Sequence, residues 1–129
     1  AKDQHTYQSY FEKVFVCLTK LDKRLGETGP YIAGDNLTLA DVHAYPHIVR
    51  FDAAYHSLYR LNKHFIRDYV NIADYMARLG EIPAFGGTLD IQAVKDGYFL
   101  AWNQPTEGKF TPLGPEVNPR SGVAVTFNT

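Results

Sequence analysis

Two histidines and one cysteine are the side chains whose types first suggest chemistry. His43 and His47 lie four residues apart on a predicted helix, a spacing that can chelate a metal ion. No acidic residue stands where the zinc-protease pattern needs one, and no third ligand is evident, so we expect no metal site. Cys17 lies at the edge of an apolar helix stripe, with no cation or helix N-terminus beside it to stabilise a thiolate. We therefore expect Cys17 to pack against its neighbours rather than react.

Tyrosine is the other chemically capable residue type, with nine copies. We expect most of them, such as Tyr7 and Tyr10, to pack in the core or at its rim. A phenol beside a pocket can also donate a hydrogen bond to a developing oxyanion. The sequence contains no phosphate loop, no serine nucleophile elbow and no Cys-x-x-Cys motif, so it carries no nucleophile or cofactor motif of its own.

The elements that position these residues begin with a long amphipathic helix. Its apolar residues recur at steps of three and four, which is one face of a helix over roughly residues 4–26. The stripe consists of Tyr7, Tyr10, Phe11, Val14, Phe15, Leu18, Leu21 and Leu25. Gly26 is the predicted stop of this helix.

A capping box predicts where the second helix begins. Thr38 is the candidate N-cap, and Asp41, three residues later, can return a hydrogen bond to the Thr38 amide. Leu37 and Val42 are spaced as a hydrophobic staple. The helix that follows is apolar on nearly every side, so we expect it to be central and buried, with a kink at Pro46.

Two shorter helices complete the predicted core. Residues 69–80 place apolar side chains on one face and end at Gly80. Asp90 can cap a further helix with Ile91, Val94 and Tyr98 facing inward.

The chain changes character after Trp102. Prolines and glycines interrupt it there, so we expect an extended tail over the surface, and residues 123–127 could pair as a strand. The sequence thus predicts a single all-α domain, residues 1–129. Residues 4–104 would form a helical core and residues 105–129 an irregular tail.

Composition narrows the class of protein. The chain has 129 residues, 45% of them apolar, and a net charge of −1, which argues against nucleic acid or an acidic membrane surface as the main partner. It has no apolar run long enough to span a membrane. A single cysteine favours a reducing compartment, so we expect a cytoplasmic protein. Because Met76 is the only methionine, we also expect the chain to be a processed product or an excised piece of a longer protein.

Five segments together resemble one family. Residues 34–41, GDNLTLAD, resemble the capping-box segment of the glutathione transferase C-terminal helical domain. Residues 49–55, VRFDAAY, are similar to the Arg-Phe-Asp-x-x-Tyr signature of glutathionyl-hydroquinone reductases, also called Xi-class glutathione transferases. Residues 62–69, 82–85 and 90–99 resemble further segments of that family in its order and spacing.

The resemblance implies a fold and a mechanism. It implies a helical bundle joined to an N-terminal thioredoxin-like domain that this chain lacks. A cysteine of that domain attacks the sulfur of a glutathionyl-hydroquinone, and a second glutathione, the co-substrate, resolves the mixed disulfide. The helical domain would bind the quinone-type ring, with Tyr98 donating to its oxygen and Arg50, Tyr55 and Trp102 as further substrate-binding candidates. The resemblance also implies a homodimer. Gly97 stands where the family commonly has His. The resemblance implies that this position lies at the pocket rim.

Two other functions stay open on the sequence. An omega-like glutathione transferase fragment would share the cysteine chemistry without the Arg-Phe-Asp segment. A non-catalytic helical module, as in some translation factors and tRNA synthetases, would share only the capping box. On each of these interpretations the chain alone lacks the catalytic cysteine, so we do not expect it to be a working enzyme by itself.

Overall fold

The computed structural model describes residues 2–100 and 110–125. The described chain is all-α, as predicted, and its core lies between α1, α2 and α4. Within these described residues, six α-helices are joined by a π-helical segment, Phe51–Tyr55, and a 3₁₀ turn, Ile66–Asp68. The helices are α1 Gln4–Thr28, α2 Leu39–Val49, α3 His56–Leu58, α4 Val70–Gly80, α5 Pro83–Gly86 and α6 Ile91–Phe99.

Helix α1 continues past its predicted end. It runs to Thr28, and the amide of the C-cap residue Gly29 donates to the carbonyl of Leu25 at 3.1 Å. The prediction of a stop at Gly26 is therefore wrong. A Cβ atom at position 26 would lie 2.7 Å from the side chain of Asn71, so this glycine permits a close approach to the start of α4 rather than ending a helix.

Helix α2 is buried on one side only, which corrects the expectation of a fully buried helix. Tyr45 and Ile48 face the core, whereas Leu39 is 73% exposed. The staple pair, Leu37 and Val42, is also exposed. The apolar composition of α2 would allow other segments to bury it on every side. Among the described residues, only the side that faces the core is buried.

Helix α4 forms the centre of the core, one residue shorter than predicted. Its inward side chains are fully buried: Ile72, Tyr75, Met76 and Leu79. The N-cap residue Tyr69 offers no side-chain cap. Asp22 of α1 replaces it, because one of its carboxylate oxygens accepts from the amides of Asn71 and Ile72 at 2.9 and 3.0 Å.

Helix α6 begins as predicted but buries a different face. The Asp90 carboxylate accepts from the Ala93 amide at 3.0 Å. The predicted inward residues Ile91, Val94 and Tyr98 are only partly buried, and Lys95 and Phe99 are the buried ones. Lys95 is covered because its ammonium donates, at 3.4 Å, to two carbonyls of the C-terminal segment, those of Pro112 and Leu113.

Residues 110–125 form an extended strap across the helices, as the proline and glycine content predicted. Val117 and Ala124 make an isolated antiparallel bridge, and the described chain contains no longer strand. Besides Lys95, two further side chains donate hydrogen bonds to the strap. Tyr45 donates to the Arg120 carbonyl at 3.2 Å, and Arg67 to the Val125 carbonyl at 3.0 Å. Among the described helices, none is long and apolar enough to cross a membrane.

Candidate functional site

A cleft of about 680 Å³ lies between α2, α5 and α6. Most of its wall is apolar, and its polar groups include the side chains of Arg50 and Tyr98. The apolar wall consists of Val42, Tyr45, Pro46, Val49, Ala84, Phe85, Leu89, Ala93 and Val94. Gly97 also lines the cleft, and a Cβ atom there would meet no atom within 4 Å. A flat, largely apolar molecule with a few polar atoms fits this surface.

Two tyrosines form a hydrogen-bonded pair at the cleft. The hydroxyls of Tyr55 and Tyr98 lie 2.9 Å apart, and their rings meet edge to face at 5.3 Å and 89°. Burial, followed by the hydrogen bond with Tyr98, raises the pKa of Tyr55 to about 12. The nearby Arg50 guanidinium opposes that rise in the pKa of Tyr55. The Tyr55 hydroxyl therefore keeps its proton at neutral pH and remains available for hydrogen bonding.

The π-helical segment turns Tyr55 toward α6. At the end of α2, the carbonyl of Arg50 accepts from the amides of both Ala54 and Tyr55, at 3.0 and 3.2 Å. This wider turn packs against α6. It places Arg50 and Tyr55 on the same side as Tyr98, although 43 residues separate the two tyrosines.

A buried carboxylate anchors the same segment from behind. Asp52 is fully buried, and its two oxygens accept from the amides of Ile66 at 2.7 Å and Ala124 at 2.8 Å. Burial raises the pKa of Asp52, although these backbone N–H donors act in the opposite direction. Asp52 thus attaches the backbone segment that contains Arg50 and Tyr55 to both the 3₁₀ turn and the strap.

The capping box supports the other end of α2. The Thr38 hydroxyl accepts from the Ala40 amide at 3.3 Å, and the Asp41 carboxylate accepts from the Thr38 amide at 2.9 Å. Asp41 is fully buried and also accepts from the Tyr75 hydroxyl at 2.6 Å. Burial, and then Asp41, raise the pKa of Tyr75. This box joins α2 to α4.

The structure brings Arg50, Tyr55 and Tyr98 together. Trp102 lies outside the described residues. His43 and His47 are exposed, and the described residues contain no group of three or more His, Cys, Asp or Glu that could hold a metal ion.

The expectation that Cys17 packs against its neighbours at the edge of the apolar stripe is wrong. It is exposed on α1, because the apolar stripe faces the core through other positions, and it does not line the cleft.

Sequence reasoning missed the contact between the two tyrosines and the anchoring role of Asp52. A carboxylate within an otherwise apolar run, Phe51 to Ala54, was the available signal for a buried, hydrogen-bonded Asp. Nothing local signals that Tyr55 and Tyr98 meet, because their contact depends on how α6 packs.

Several known proteins resemble this chain in sequence and fold. Residues 4–78 match the glutathione S-transferase C-terminal domain family. The glutathionyl-hydroquinone reductase YqjG of Escherichia coli is 29% identical over 115 residues, 89% of this chain and 35% of YqjG. Its glutathione-bound structure matches with a TM-score of 0.86 at 28% identity, covering 92% of this chain and 38% of that one.

Two fungal proteins are also similar. The Xi glutathione S-transferase of Phanerochaete chrysosporium matches with a TM-score of 0.84 at 32% identity, covering 89% of this chain and 39% of that one. Glutathione S-transferase omega-like 2 of Schizosaccharomyces pombe is 36% identical over 121 residues, 92% of this chain and 39% of that protein. The chain thus spans 35% of the bacterial reductase and 39% of the omega-like protein.

Proposed function

The chain belongs to the glutathione S-transferase C-terminal domain family, and on that premise we propose that it forms the substrate pocket of a glutathionyl-hydroquinone reductase. The observation that carries the proposal is the apolar cleft with Arg50 and the Tyr55–Tyr98 pair beside it. We propose that a planar ring packs against the apolar wall and that the phenol group of Tyr98 donates to an oxygen on that ring.

The proposed reaction is thiol exchange in the parent protein. A cysteine thiolate of an N-terminal thioredoxin-like domain attacks the sulfur of the glutathionyl-hydroquinone. The carbon–sulfur bond breaks, the ring carbon takes up a proton, and the hydroquinone leaves. Glutathione stays on the enzyme as a mixed disulfide, and a second glutathione then releases it as glutathione disulfide. Cys17 is not the nucleophile, because it does not line the cleft.

The residues of this chain bind and orient the ring. As the ring departs, negative charge builds on its oxygen, and the Tyr98 hydroxyl stabilises that charge. Arg50 and Tyr55 support Tyr98 from the same side, and Trp102 is proposed as a further contact with the substrate.

The assembly around the pocket is also part of the proposal. Leu37, Leu39 and Val42 form an exposed apolar patch at the start of α2 and the cleft. We assign this patch to the thioredoxin-like domain, which would bring the nucleophile to the cleft. We propose that the parent protein is a homodimer and that it acts in the cytoplasm, which suits this glutathione-dependent chemistry.

The test uses the parent protein with Tyr98→Phe. We expect turnover of a glutathionyl-naphthohydroquinone to fall by roughly 10²–10³-fold, the usual loss when one oxyanion donor is removed. The melting temperature should change little, because Phe keeps the ring. Tyr59→Phe is the control, since Tyr59 packs against Tyr55 but does not line the cleft, and its turnover should match the wild type. Equal turnover of wild type and Tyr98→Phe would show that Tyr98 only packs.

An omega-like glutathione transferase is the second candidate, favoured by the similarity to the Schizosaccharomyces pombe protein. Both candidates predict exchange between glutathione and a small disulfide such as 2-hydroxyethyl disulfide. Only the reductase also predicts turnover of glutathionyl-hydroquinones that depends on Tyr98. A parent that carries out neither reaction would favour the non-catalytic interaction module.

A further inference from the structure

Gly97 is a glycine in the interior of α6 that neither its backbone conformation nor close packing requires. Glycine destabilises the interior of a helix relative to alanine, because it loses more conformational freedom on folding. Gly26 permits a close approach, since a Cβ atom there would lie 2.7 Å from the Asn71 side chain, and Gly122 has a positive φ. Gly97 has no positive φ, and a Cβ atom there would meet no atom of the described residues within 4 Å. Open space therefore lies beside Gly97.

That open space lies on the side of α6 that faces the cleft. Ala93, Val94, Gly97 and Tyr98 all line the cleft, and their spacing of three and four residues places them on one face of the helix. The buried Phe99 lies on the opposite face. Gly97 follows Ala93 and Val94 by one helical turn, so a side chain at position 97 would project from the middle of the cleft-facing side. We call the space beside Gly97, bordered by Ala93, Val94 and Tyr98, the recess.

We infer that Gly97 is a specificity-determining residue, whose missing side chain lets the cleft accept a second aromatic ring fused beside the oxygen that Tyr98 binds. The ligand class is a two-ring aromatic alcohol of naphthol size rather than a single-ring phenol. Burying a fused ring is favourable in proportion to the apolar area removed from water, and Ala93 and Val94 give the recess an apolar border. The inference deepens the proposed function and rests on it for the role of Tyr98.

Two phenols of different size test the recess by direct binding to the chain. 4-Nitrophenol has one ring, and 4-nitro-1-naphthol adds a fused ring next to the carbon that bears the hydroxyl. Both anions absorb visible light, so spectroscopic titration at a pH where both probes are ionised gives two dissociation constants. We expect the wild type to bind the naphthol more tightly by roughly tenfold or more. The ratio of the two affinities is the readout, because a loss of folded protein lowers both affinities alike.

Gly97→Leu fills the recess with an apolar side chain. It should lower the affinity for the naphthol by roughly tenfold or more, with less than about a twofold change for 4-nitrophenol, because excluding even one methylene from an apolar pocket has an effect of this size. Gly97→Ala places a smaller group in the same space and should lower the ratio by about two- to fourfold. Gln92→Leu is the matched control, because it adds the same side chain at an exposed position of α6 that does not line the cleft. It should leave the ratio unchanged.

Tyr98→Phe separates this inference from the proposed function. It keeps the recess and removes the hydroxyl, so both probes should lose affinity by a similar factor and their ratio should stay the same. An unchanged ratio in Gly97→Leu, with a loss of both probes in Tyr98→Phe, would leave the proposed function standing and overturn the role of Gly97. A lowered ratio in Gly97→Leu, with no effect of Tyr98→Phe, would support Gly97 as the determinant of size and refute the donor role of Tyr98.

Three other results would also overturn the inference. They are no measurable binding of the naphthol, an equal loss of both probes in Gly97→Leu, and a fall in the ratio for Gln92→Leu as large as that for Gly97→Leu. Should Gly97→Leu fail to fold, Gly97→Ala carries the test, because its Cβ atom meets open space. An unchanged ratio in that variant would then count against the recess.

Discussion

The hydroxyl of Tyr75 offers a measurable link between two helices. It donates to the Asp41 carboxylate at 2.6 Å, and Tyr75 is fully buried. Tyr75→Phe removes the hydroxyl and keeps the ring, so packing in α4 is conserved. A hydrogen bond to a charged group contributes about 1.5–3 kcal/mol. Asp41 keeps the amide donors of Ile32 and Thr38, so we expect a loss of about 2 kcal/mol in the free energy of unfolding.

Tyr45→Phe is the matched control. Tyr45 is also buried, but its hydroxyl donates to a neutral acceptor, the Arg120 carbonyl, at the longer distance of 3.2 Å. We expect this variant to lose about 0.5–1 kcal/mol. Urea unfolding followed by circular dichroism at neutral pH measures both. If Tyr75→Phe lost no more stability than Tyr45→Phe, the charged acceptor would have no special part in holding α2 to α4.

The same bond predicts a pH dependence. Because the pKa of Tyr75 is raised in the folded state, the folded protein holds this proton at pH values where the unfolded chain has lost it. The stability from this group is fully present below about pH 10, the ordinary tyrosine value, and is lost as the pH rises above it. Tyr75→Phe should therefore show a shallower loss of stability above about pH 10 than the wild type. Equal slopes would contradict the argument.

Two further predictions concern the backbone behind the cleft. Asp52→Ala leaves the amides of Ile66 and Ala124 buried without their acceptor, so we expect a loss of roughly 2–5 kcal/mol in urea unfolding. Because the pKa of Asp52 is raised, its contribution is full below about pH 4 and falls as the pH rises through the raised folded value. The variant should lack that slope, and an unchanged slope would rule out Asp52 as its source. Gly97→Ala should stabilise α6 by about 0.5–1 kcal/mol, since a Cβ atom there meets nothing within 4 Å. Gly122→Ala should destabilise by at least about 1 kcal/mol, because φ is +71° and the Cβ atom would lie 2.3 Å from a backbone carbonyl oxygen. Melting temperatures of the two glycine variants that moved in the same direction would contradict this contrast.

The sequence predicted the features that depend on residues close together along the chain. The capping box of Thr38 and Asp41 joins residues three apart, and Asp90 caps within the same distance. The period of the apolar residues located α4 to within one residue. In each case the residues that determine the structure are neighbours along the chain, so the sequence pattern is enough to predict the helix or its cap.

Features that depend on distant partners escaped prediction. Asp52 accepts from amides 14 and 72 residues away, and no residue near it in the sequence indicates which amides these are. The burial of Lys95 depends on the strap, whose carbonyls 17 and 18 residues away accept from its ammonium. The family resemblance pointed to Tyr98 as a ligand-binding residue, but only the packing of α6 against the π-helical segment shows that Tyr55 is its partner.

The carboxylate of Asp22 couples the stability of α1 to that of α4. It lies in the middle of α1, yet it satisfies the first free amides of α4, those of Asn71 and Ile72. If α1 detached, α4 would lose its cap and begin to fray at the end where its buried residues start. Opening of the long first helix therefore also removes the cap of α4, so the stabilities of the two helices are coupled.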